Sequence, residues 1–78
     1  MENNIIFILR ITGDENYSFI VENNTTGKML AKYYIIDYST DRGCMYLVQR
    51  AEDTKKAVWT EDFIQAQNIC KADYMARG

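Results

Sequence analysis

The stretch VWTEDFIQAQNICKADYMAR, residues 58–77, decides the fold, because it holds the one helical periodicity in a chain that otherwise alternates like strands. At 100° per residue, Phe63, Ala66, Cys70 and Tyr74 follow i, i+3, i+7, i+11 and fall on a single stripe, flanked by Ile64 and Ile69. Glu61, Gln65, Asn68 and Ala72 lie opposite. Ala66 and Cys70 are small, so the helix axis can approach a sheet closely while Phe63 and Tyr74 grip at either end. Thr60 is the N-cap candidate, with Glu61 and Asp62 placed where the helix dipole favours negative charge, and Lys71 and Arg77 suit the C-terminal end. A helix of this kind needs a sheet to cover.

The rest of the chain supplies one. Over residues 5–12, Ile5, Phe7, Leu9 and Ile11 alternate with Ile6, Ile8, Arg10 and Thr12; one face is wholly apolar and the other half so, as expected of a central or well-covered strand. A polar turn at 13–16 leads to a strand at 17–22 with Tyr17, Phe19 and Val21 on one face, a hairpin signature. Asn23, Asn24 and Gly27 mark the next turn. Residues 29–38 are β-branched and aromatic in their second half and read as a third strand. A turn at 39–43 and a fourth strand at 44–50 follow, then a charged loop at 51–56 and a short edge strand at 57–59. The expected fold is α+β: a single domain, residues 1–78, with an antiparallel meander of four to five strands and one C-terminal helix packed on one face.

Trp59, immediately before the helix, reads as a core or hinge aromatic; the alternative is a binding anchor, because Trp is enriched at interface hot spots. The run Val58, Trp59, Thr60, Glu61, Asp62 and then Ala66 resembles the strand-to-helix tail, Trp-Thr-x-Asp-x-x-x-Ala, of small uncharacterised phage and bacterial α+β proteins. The resemblance covers about a tenth of the chain and implies no activity.

Composition narrows the function classes. With 47% hydrophobic and 26% charged residues the chain is globular, and at 78 residues it holds one core of marginal size. Nine basic and eleven acidic side chains are interspersed, giving a net charge of −2. A sequence-independent nucleic-acid binder shows a basic surplus or stripe, and a DNA mimic a dense acidic face; neither is visible. The apolar run at 5–9 is too short for a signal-peptide core and no segment is long enough to span a membrane, which points to a cytoplasmic protein. In that compartment Cys44 and Cys70 read as two buried thiols, one on a strand and one on the helix stripe. The sequons at Asn16, Asn23 and Asn24 then read as turn residues.

The chain has no histidine, so the commonest general base and metal ligand are missing, and Ser-His-Asp and Cys-His triads are excluded. Two distant cysteines do not make a zinc site, and the glycines are too scattered for a phosphate loop. Carboxylate pairs such as Asp37 with Asp41 fall in turns and read as solvated charge. The sequence therefore calls for no enzyme activity, no metal and no cofactor.

What stands out is a set of polar-tipped rings, among them Tyr17, Tyr33, Tyr34, Tyr38, Tyr46 and Trp59, more than one helix-covered face can hide. Tyr33 and Tyr34 cannot both face the helix, and Tyr38 shares a face with Tyr34. The expectation is a non-catalytic binding protein working through protein–protein contact, with Tyr34, Tyr38 and Tyr46 as anchors and Arg42 and Arg50 at the rim. Its partner would be a larger protein or a second copy of the chain. The sharpest version is a phage-type inhibitor of a host enzyme of nucleic-acid-directed defence; the alternative is a single-strand nucleic-acid platform stacking bases on tyrosines.

Overall fold

The structure is a computed structural model that describes residues 4–77. Five antiparallel strands, β1 (Ile5–Ile11), β2 (Asn16–Asn23), β3 (Met29–Asp37), β4 (Tyr46–Arg50) and β5 (Ala57–Thr60), form one sheet in chain order, and helix α1 (Phe63–Ala76) packs against it. This is the α+β meander that the patterning predicts. Short turns enforce the order, since antiparallel neighbours need only a few residues between them. In the β2–β3 turn, the Asn23 carboxamide accepts from the backbone N–H of Thr25 and of Thr26, and Gly27 takes the left-handed conformation (φ 75°) that closes it.

The register sorts every side chain to one of two faces. On the helix side, Phe7, Val21 and Ala31 form one row across the strands, Leu9, Phe19, Tyr33 and Arg50 a second, and Ile11, Tyr17, Ile35, Val48 and Val58 a third. The core is drawn from the middle of these rows, with Phe19, Val21, Tyr33, Ile35 and Val48 buried against Ala66 and Cys70. The small helix residues are the fully buried ones, as close approach requires, and Phe63 sits between Tyr17 (4.8 Å between ring centroids) and Tyr46 (5.3 Å).

Four expectations are corrected. The helix is capped by Asp62, whose carboxylate accepts from the N–H of Ile64 at 2.9 Å, and Thr60 is held in the β5 ladder opposite Tyr46. Glu61 and Asp62 thus precede the first turn. Residues 5–11 form an edge strand, because the meander places its first strand outermost; the helix packs over β3, β4 and β5, and Ile5 and Phe7 of β1 meet the core at its margin. Cys44 is exposed in the loop before β4, which begins at Tyr46; only Cys70 is buried. Trp59 lies outside the core, 56% exposed, on the face that the helix does not cover.

Candidate functional site

Two clusters of side chains invite a functional reading, one under the helix and one on the opposite face of the sheet. Under the helix, the Asp73 carboxylate receives the Tyr33 hydroxyl at 2.7 Å and a two-pronged bond from Arg50, Nε at 2.8 Å and Nη2 at 2.9 Å. Arg77 adds a longer contact at 3.4 Å, pairs with Glu52 at 2.9 Å, and stacks its guanidinium over the Tyr33 ring. The Arg50 guanidinium, the Tyr33 hydroxyl and Arg77 together hold the Asp73 carboxyl down to about 2 against the partial burial that opposes them. Burial and the Asp73 carboxylate push the Tyr33 hydroxyl far above its ordinary value, so it stays a donor. Every charge here answers another, and the cluster pins the helix to β3 and β4.

The other face is different in kind. Arg10, Ser18, Tyr34, Gln49 and Ala57 form one row across it, and Asn16, Ile36, Leu47 and Trp59 the next. Ile8, Ile20 and Lys32 make a third. Among the described residues no helix or second layer lies over these rows; Ser18 is buried within them, and the half-buried Tyr34, Ile36 and Leu47 run to an exposed aromatic pair, Tyr38 on Trp59 at 5.4 Å. Lys32 lies over the Tyr34 ring, 5.4 Å from its centroid. Thr12, Asn16, Tyr34 and Ile36 line a shallow depression of about 250 Å³. Tyr38 also borders an open groove of about 560 Å³ that is shared with Arg42, Cys44 and Glu61. Tyr34, Ile36 and Leu47 run through the middle of the face among Ser18, Asn16 and Gln49, and the aromatic pair lies toward β5.

Charge is unevenly shared between the faces. Of the acidic side chains on the described strands, Glu22 points to the uncovered face and Asp37 to the helix side, whereas Arg10 and Lys32 both join the uncovered rows. The helix and the loops carry Asp14, Glu15, Asp41, Glu52, Asp53, Glu61, Asp62 and Asp73 against six lysines and arginines. An acidic chain thus presents a neutral to weakly basic sheet face.

The fold gathers Tyr34 and Tyr38 on that face and brings Arg42 to the adjoining groove. Tyr46 and Arg50 go elsewhere: Tyr46 packs on Phe63 beneath the helix, with its hydroxyl raised by burial and by Cys44, and the Arg50 guanidinium is engaged by Asp73. Trp59, Ile36, Leu47 and Lys32 join the surface although residue type alone did not single them out as contacts, Trp59 excepted as an alternative. For Lys32 and Ile36 the signal lay in strand parity with Tyr34, once its face is known; Leu47 and Trp59 needed the register that sets them opposite Ile36 and each other. No family model matches the chain, and no curated protein or solved structure matches it either.

Proposed function

We propose that the chain is a non-catalytic binding protein whose uncovered sheet face, centred on Tyr34, Ile36, Leu47 and Trp59 with Tyr38 at its margin, docks onto a larger protein. The supporting observation is the face itself: Tyr34, Ile36, Leu47, Trp59 and Tyr38 lie side by side on it with no second layer over them. Arg10 and Lys32 border it, so the complementary surface is an apolar patch edged by carboxylates. Inhibition of a host enzyme of nucleic-acid-directed defence is the sharpest version of this reading.

Tagged chain should capture a stoichiometric protein from bacterial lysate, and capture should survive nuclease. Tyr34→Ala with Trp59→Ala should weaken it more than about tenfold, as loss of central aromatic anchors does. The melting temperature should hold. Unchanged capture, or a loss that merely tracks unfolding, overturns the reading.

Single-strand nucleic acid remains the second reading, favoured by Lys32 over Tyr34 and by the rings of Tyr34, Tyr38 and Trp59 on one open face. It predicts nuclease-sensitive capture. It also predicts quenching of the sole tryptophan by an oligothymidine, weakening steeply with salt.

A further inference from the structure

We propose that β1 is the pairing edge of a homodimer, in which two copies join antiparallel through residues 5–11 into one ten-stranded sheet. The rim of the sheet carries this pairing, independently of the uncovered face.

The backbone shows which groups are free. Thr12 donates to the Asn16 carbonyl at 3.0 Å and Asn24 donates to that of Asn4 at 2.6 Å, so the even-numbered residues of this strand turn their hydrogen-bonding groups toward β2. The register is unbroken from Ile5 to Ile11, which leaves the N–H and C=O of Ile5, Phe7, Leu9 and Ile11 directed at the open edge. Among the described residues, that edge carries little of the usual protection. It has no proline, no bulge and one charged residue, Arg10, and it exposes Ile6, Leu9 and Ile11, the last at 77%. The opposite rim, β5, is only four residues long.

A second copy fits this edge better than a foreign strand because the strand complements itself. Two-fold pairing about Ile8 sets Phe7 and Leu9 of each copy to exchange their free hydrogen bonds with Leu9 and Phe7 of the other, and Ile5 with Ile11 likewise. All four outward residues are then used. Phe7 faces Leu9 and Ile5 faces Ile11 on the helix side; Ile8 faces Ile8 and Arg10 faces Ile6 on the other, so no like charges meet. Arg10 of one copy then stands two strands, roughly 10 Å, from Glu22 of the other, within reach of the two side chains together. Neither is in an ion pair among the described residues. A two-fold axis normal to the sheet closes the assembly, whereas β1-to-β5 pairing would run on as a filament. Both helices come to one side. The two uncovered faces become one continuous surface on the other.

Light scattering on the full chain at about 100 µM, well above a micromolar Kd, should give twice the chain mass. Leu9→Pro removes an outward N–H while sparing the β1–β2 ladder, and should return the mass to that of one chain with the circular dichroism retained. In a Cys44→Ser background, Ile8→Cys should cross-link with itself on mild oxidation, because the two-fold brings that pair of Cβ atoms to about 5 Å; Arg10→Cys should not. Slow amide exchange at Phe7 and Leu9, lost on dilution, would support the pairing without any substitution. A single-chain mass at that concentration overturns the proposal. So does a dimer in which Ile8→Cys stays uncrosslinked or Arg10→Cys cross-links.

Discussion

At the scale of single residues, Asp73 carries more of the architecture than its place near the end of the helix suggests. It ties Tyr33 and Arg50 on adjacent strands to α1, at a site about one-third exposed. Asp73→Asn should cost about 1–2 kcal/mol, the lower part of the range for charged hydrogen bonds because solvent screens the site. Its carboxyl binds a proton less readily folded (about 2) than unfolded (3.8), so the contribution is fully present near neutrality and falls between about pH 5 and pH 2. Acid titration of the melting temperature should show a shallower fall in the variant across that window. Ser18 offers a test of opposite sign: its hydroxyl is buried without a partner, so Ser18→Ala should leave stability equal or raise it by about 1 kcal/mol. The two thiols should separate cleanly. Exposed Cys44 should react with a thiol reagent in the native chain, whereas Cys70, fully buried and pushed up to about 12 by burial, should react only on unfolding.

At the scale of elements, the helix depends on its first contacts. Asp62→Ala removes the acceptor for the Ile64 N–H and should cost about 1 kcal/mol, a fall of roughly 4–8 °C in melting temperature for a domain of this size. Thr60→Ala should cost less, since its hydroxyl accepts a bond of 3.4 Å from the Asp62 N–H. The order of these two effects distinguishes the observed cap from the one residue type suggested. Residue type pointed to Thr60; its pairing with Tyr46 in the sheet keeps it in the ladder and leaves the cap to Asp62. The same logic applies to β1, whose apolar residues on both faces resemble a buried strand although the meander leaves it at the rim.

At the scale of the whole molecule, one helix cannot cover both faces of a five-stranded sheet, and the uncovered face follows from that arithmetic of layers. Trp59 reports on it. Acrylamide should quench its fluorescence in the free chain nearly as well as in the unfolded chain, and a bound partner on that face should shield it. Pairing at the β1 edge should leave the quenching unchanged, because Trp59 lies at the far side of the sheet. Strong shielding in the isolated chain would mean that the face is already covered.

Residue patterning was enough for the elements, their order and which residues of one strand share a face. Period-2 alternation and turn residues such as Asn23 and Gly27 act over a few positions, and short connections leave a meander little freedom. Alternation states that Tyr33 and Tyr34 part company; it is silent on which one meets the helix. Only the tertiary structure decided that, by setting Ala66 and Cys70 over Tyr33, Ile35 and Val48. From that one choice follow the packing of Tyr46 under the helix, the capture of Arg50 by Asp73, and the placing of Tyr34 with Trp59 on the uncovered face. Contacts between residues far apart in the chain leave no periodic trace. They exist once the helix has a position, and its position is a property of the packed whole.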